Sequence, residues 1–216
     1  MSRFRDEESG MTLIEILVSI SLFMIVSVGF YQVLFSGANG ADTAQSITQV
    51  SEEARLGFNR MIRDTRESVS LGGATAATNP SPTTYNVRID FNGDGVFENP
   101  NSTGDFEDLT FNYDPGSREI RLNGETLIAG VEPIGSRPIF DYNSNLLEYD
   151  WDANGTTTWQ EIDAASAHGI SGVGNNNGVI DGSEKGLLTS VVFAFRVTVE
   201  NRNEDFYSEA QIRNRR

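Results

Sequence analysis

From Met11 to Phe35 the chain is mostly apolar, free of proline, and charged at only one position, Glu15. As a helix rising about 1.5 Å per residue, this run reaches about 37 Å, enough to cross a hydrocarbon core of about 30 Å with some tilt. A charge near the centre of such a helix costs about 2.5–3.5 kcal/mol even on lenient insertion scales. Glu15 therefore asks for a partner or a use. A secretory signal peptide would need a basic start, a shorter apolar run and a small-residue cleavage site after it. Here "MSRFRDEESG" mixes both charges and the run passes straight into helical sequence.

Gly10 followed by "MTLIEILVSISLF" resembles the class III signal of type IV pilins and type II secretion pseudopilins. In that signal a short polar leader ends in Gly and the apolar segment carries Glu at its fifth position. The resemblance implies that a prepilin peptidase cuts between Gly10 and Met11 on the cytoplasmic side and methylates the new amino terminus. It also makes Glu15 the assembly glutamate. The physics agrees, because a buried carboxylate becomes tolerable beside a positive group, and the free amine of a neighbouring subunit's first residue supplies one. Such a polar pair would fix axial register between helices. Two features depart from the family pattern: Asp6, Glu7 and Glu8 dilute the leader's positive charge, and no proline kinks the middle of the segment.

After "SGANGAD", expected to be flexible, Ile47, Val50, Ala54, Phe58, Met61, Thr65 and Val69 recur every three or four residues. This is the stripe of an amphipathic helix, with Glu52, Glu53, Arg55, Arg60, Arg63, Asp64 and Arg66 mostly on its other faces. "LGGATAATNPSPTT" reads as the loop that ends it. Period-two runs follow at Tyr85, Val87, Ile89 and Phe91, at Leu109, Phe111 and Tyr113, at Ile120 and Leu122, then in "LLTSVVFAFRVTVE" and "DFYSEAQIRN". "NYDPGSREIRLNG" has the Asp-Pro-Gly turn of a hairpin. The expected fold is α+β, a long N-terminal helix with a membrane half and an amphipathic half, packed on an antiparallel β-sheet head. The expected boundaries are a leader at 1–10, a transmembrane and assembly helix at 11–36, an amphipathic half at 37–71 and a β-rich head at 72–216.

A weaker resemblance covers most of the remaining chain. "EEARLGFNRMIRDTRES", "LTFNYDPGSREIRLNG", "LIAGVEPIGSRPIFDYNSN" and "VVFAFRVTVENRNEDFYSEAQIRNRR", in that order, look like minor pilins of the W type and J-type minor pseudopilins. This implies a subunit that initiates or caps a fibre, with other major and minor pilin subunits as partners. It further implies a single-pass protein of the cytoplasmic membrane, its head outside the cytoplasm, that later enters a pilus or pseudopilus.

The formal net charge of −15 argues against a nucleic-acid partner, which needs clustered Lys and Arg. Cysteine is absent, which removes disulfides, thiolate chemistry and cysteine-ligated metal sites. The single histidine, His168, lies in "AASAHGISG", so a Ser-His-Asp site is not expected, and the chain is read as no enzyme.

The acidic residues are not evenly spread. "DWDANGTTTWQE" places Asp150, Asp152 and Asn154 at alternate positions, then Gly155, the Thr156 carbonyl, and Glu161 as the closing carboxylate. This is the ligand order of an EF-hand calcium loop, here expected between strands. "DFNGDGVFE" opens the same way with Asp90, Asn92, Asp94, Gly95 and the Val96 carbonyl, but Asn101 holds the closing position, so Glu98 or a more distant carboxylate must close it. "VGNNNGVIDGSE" offers Asn175, Asn177, Gly178, the Val179 carbonyl, Asp181 and Glu184, with Val173 where the first ligand belongs. Calcium as a structural ion is the expected cofactor. The other reading of all three is an Asx-rich turn that holds no metal. A membrane-anchored calcium-dependent binding module is the alternative function these loops suggest.

Overall fold

A computed structural model describes residues 12–72, 79–97, 107–199 and 202–212. The chain divides into two compact units, 1–46 and 47–216. The described part of the first is essentially a length of helix. The second contains the rest of that helix and a β-rich head.

Helix α1 spans Leu13–Glu67, 55 residues without a break. The "SGANGAD" stretch, expected to be flexible, is helical. Each glycine there costs about 1 kcal/mol relative to alanine, a penalty that long helical flanks can carry because propagation is cheap once a helix is nucleated. The helix ends four residues before the expected boundary. Ser68 donates through its backbone N–H and its hydroxyl to the Thr65 carbonyl at 3.3 and 2.7 Å. The next residues then join a sheet.

Within the second unit the expected helical stripe faces the core. Ala54, Met61 and Thr65 are buried, with Val50, Phe58 and Ile62 packed partly against the same core. Gly57 lies on this face because nothing larger fits: a Cβ there would come within 2.5 Å of Ile128 Cγ1. Asp64, expected on the solvent side, is also buried, and Arg60 and Arg63 reach it at 3.4 and 3.1 Å. The two arginines keep their heads in water while neutralising the buried carboxylate.

The strands form two antiparallel sheets. The first has the order β1 (Ser70–Leu71), β2 (Thr84–Arg88), β3 (Asp108–Asp114), β4 (Glu119–Leu122), β5 (Glu125–Ala129), a meander in which neighbours in sequence are neighbours in space. Its hairpin turns at Asp114, whose Oδ1 accepts from the N–H groups of Gly116 and Ser117 at 2.9 and 3.4 Å. The second sheet is built on β9 (Ser190–Val199). All of one edge pairs with β10 (Arg202–Gln211), while the other edge takes β6 (Val131–Pro133) and then β7 (Phe140–Ser144). Short β8 (Thr157–Thr158) adds to β7.

One core joins the end of α1 to the inner faces of both sheets. Tyr85 of β2 stacks on Phe111 at 4.6 Å and meets Phe140 edge-on at 4.7 Å, while Phe58 of α1 meets Phe195 and Phe206 at 5.6 and 5.3 Å. Phe91, expected to extend the first strand run, is instead exposed beyond the end of β2. The strand stops because Asp90 begins folding the following backbone around its own carboxylate.

Candidate functional site

Two features invite a functional reading, the start of α1 and the acidic loops of the head. They fall in different units and are described separately.

In the first unit, every large apolar side chain from Leu13 to Phe35 is between 45% and 81% exposed, so no face of this stretch is covered by the described residues. Among the described residues α1 is the one helix long and apolar enough to cross a membrane. One of its hydroxyls is tied back to its own backbone: Ser21 donates to the Leu17 carbonyl at 2.8 Å. Glu15 lies in the first turn, where its Oε2 accepts from the Thr12 N–H at 3.4 Å and, more loosely, from the Thr12 hydroxyl at 3.5 Å. This is the returning half of a capping box, and a carboxylate there also complements the helix dipole. Among the described residues Glu15 therefore has only long, exposed bonds to hold it. The cleavage residues Gly10 and Met11 lie outside the described residues.

Residues 5–31 match the family model of the prokaryotic N-terminal methylation motif. This match to the start of the chain supports a class III signal of the kind found in pilin- and pseudopilin-like proteins. Proteins of that kind are generally structural, are processed by a prepilin peptidase and assemble with pilin subunits, and such a signal with a long apolar helix fits membrane anchoring. No curated protein and no solved structure gives a significant match to the chain.

In the head, all three acidic stretches fold the backbone around a carboxylate in one manner. In the loop at Asp150, Oδ1 accepts from Asn154 N–H at 3.1 Å and Oδ2 from Gly155 N–H at 2.8 Å, while Asn154 Oδ1 accepts from Thr156 N–H at 2.8 Å. These backbone donors hold the Asp150 carboxyl below its usual range despite the opposing effect of burial. In the loop at Asp90, Oδ1 accepts from Gly93 N–H at 2.6 Å, Oδ2 from Gly95 N–H at 3.1 Å, and Asp94 Oδ1 from Val96 N–H at 2.7 Å.

The third stretch shows what the sequence concealed. Asp163, at the end of α2 (Trp159–Asp163), supplies the carboxylate that Val173 cannot: its Oδ1 accepts from Asn177 N–H at 3.1 Å and its Oδ2 from Gly178 N–H at 2.8 Å. Gly174 makes this approach possible, since a Cβ there would lie 2.1 Å from the Ile162 carbonyl oxygen and 2.4 Å from that of Asp163. Glu184 is buried and anchors the loop by accepting from Asn175 N–H at 3.2 Å and Asp181 N–H at 3.1 Å. Burial, with the charges of Asp163 and Asp181, pushes its carboxyl up.

The closing carboxylates differ. Oxygens of Asp150, Asp152 and Glu161 lie within 4.8 Å of one another, and so do those of Asp90, Asp94 and Glu107. Glu161 sits in α2 and not between strands, as had been expected. Its Oε2 accepts from Thr158 N–H and hydroxyl at 2.8 and 2.9 Å, completing a capping box, and its Oε1 takes the Trp151 N–H at 3.1 Å. Glu98 lies outside the described residues. Glu107, unread as a ligand in the sequence because it lies sixteen residues beyond Phe91, closes the first loop from the chain leading into β3: its Oε1 accepts from Phe91 N–H at 2.7 Å and Asn92 N–H at 3.2 Å. His168 stacks flat on Trp151 at 4.2 Å, a packing role.

Proposed function

We propose that the chain is a minor pilin or pseudopilin, a structural subunit that initiates or caps a type IV pilus or a type II secretion pseudopilus. The carrying observation is the methylation motif at residues 5–31, joined to an apolar helix whose faces are all uncovered. Before assembly the uncovered face would be satisfied by lipid, with the head outside the cytoplasm. After assembly it would be satisfied by the helices of neighbouring subunits. Prepilin peptidase would cut after Gly10 and methylate Met11.

Glu15 then exchanges its weak contacts with Thr12 for the amine of a neighbouring subunit. That exchange converts a costly intramembrane carboxylate into a register device. The chain performs no covalent chemistry on this reading. The minor role rests on the order of head segments, which resembles W-type and J-type subunits.

The decisive experiment is the intact mass and N-terminal sequence of the protein from membranes of cells with and without a prepilin peptidase. A mature chain beginning at methylated Met11 only when the peptidase is present is the expected result. Retention of the leader in both would overturn the proposal. A second reading, a membrane-anchored calcium-dependent binding module, draws on the acidic loops. Glu15→Ala separates the two, because loss of fibre incorporation with a folded head fits the pilin reading alone.

A further inference from the structure

Glu107 is wholly buried just before β3, yet one of its carboxylate oxygens is without a hydrogen-bond partner among the described residues. The other oxygen is spent on the Phe91 and Asn92 N–H groups, which fixes the carboxylate against the loop that Asp90 organises. Asp90 and Asp94 each bring a carboxylate oxygen into the same cluster, all within 4.8 Å. Three acidic groups at that spacing repel one another unless a cation lies between them. No arginine or lysine among the described residues forms an ion pair with any of the three. Arg88, at the end of β2, is committed elsewhere: it pairs with Asp108 at 3.6 Å and lies over the Phe97 ring.

We infer that Asp90, Asp94 and Glu107 bind one divalent cation of the calcium type, with the orphaned Glu107 oxygen as the ligand that ties the loop to the β-sheet. All the donors are hard oxygens and none is histidine or cysteine, which suits calcium over zinc or copper. The loop at Asp150 provides an internal contrast. There both oxygens of the closing Glu161 already accept from protein donors, so that loop has no orphaned closing oxygen like that of Glu107. The inference concerns the head alone and does not depend on the pilin reading.

The test is equilibrium dialysis of the full chain in detergent against calcium, with Glu107→Gln, Asp94→Asn and Glu161→Gln beside the wild type. An affinity of about 10⁻⁴–10⁻³ M is expected, as in other extracellular calcium modules. Glu107→Gln and Asp94→Asn should each lose one bound equivalent, or weaken it by about tenfold or more, while Glu161→Gln keeps it. Gln retains the acceptor that holds Phe91 and Asn92. Asp94 is exposed, so its variant decides the matter if Glu107→Gln does not fold. A wild type that binds no calcium at 10 mM (about ten times the weakest expected constant), or unchanged binding in Asp94→Asn, overturns the inference.

Discussion

The two halves of α1 obey the same backbone rules but meet different solvents. Residues 13–35 present large apolar side chains on every side and cover none of them, whereas 47–67 present one apolar stripe and bury it within their own unit. The second half is complete within a single chain. The first has no cover among the described residues of its unit, and on the proposed reading a membrane and then a fibre would provide it. A helix can thus be equally regular in two places and be stabilised for unrelated reasons.

Matched substitutions can break that comparison. Met61→Ala removes a wholly buried side chain and should cost the head about 2–5 kcal/mol, read from its thermal or urea transition. Met24→Ala, the same change in the uncovered half, should leave that transition where it was. The converse change is Ile25→Arg, which should oppose membrane insertion by about 2.5–3.5 kcal/mol and raise the fraction released by alkaline carbonate, with the head's melting unaffected.

Glycine gives a subtler contrast. Gly57→Ala pushes a methyl against Ile128 and should destabilise the head by about 1–3 kcal/mol. Gly37→Ala meets open space and should add helix stability of about 1 kcal/mol or less, seen as higher helical ellipticity on heating. Equal destabilisation by both would show that the halves are not packed differently.

The smallest effect is electrostatic and belongs to the head. The Arg196 guanidinium, bonded to Asp205 through two nitrogens at 2.6 and 2.9 Å, holds the Asp205 carboxyl below its usual range. Because the folded value is depressed, the stabilisation is present above the unfolded value of about 3.9 and is lost as pH falls through the lower folded one. Asp205→Asn should therefore lower the melting temperature slightly at pH 7 and not at all near pH 2. The pair is exposed, so salt should shrink the difference.

How far the fold was legible follows from where its information lies. The stripe from Ile47 to Thr65 and the Asp114 turn could be read because both are local: side chains three or four apart share a helix face, and an Asx turn closes on its own backbone. The partition of strands into two sheets could not, since nothing near Ser190 announces that β9 will pair with β6, β7 and β10. The acidic loops divide the same way. Asp90, Asn92 and Asp94, like Asp150, Asp152 and Asn154, were visible as spacing. Glu107 and Asp163 enter their loops through tertiary folding, from beyond the loop in one case and before it in the other. Asp64 was misplaced because its burial depends on two arginines that reach over it, which a helical wheel does not register.

The position of β9 carries a consequence for timing. It is the common partner of three other strands, two of which, β6 and β7, precede it in the chain. Until Ser190 and the residues after it arrive, β6 and β7 have exposed edges and Tyr85 and Phe140 lack Phe193, while the meander from β1 to β5 already has every strand it needs. The head should thus mature in two stages, an early hairpin-rich half and a later half that waits for the β9–β10 hairpin. Without cysteines to lock either stage, a chain cut before Ser190 would keep unpaired strand edges and an open aromatic core, the sort of species that aggregates or is degraded.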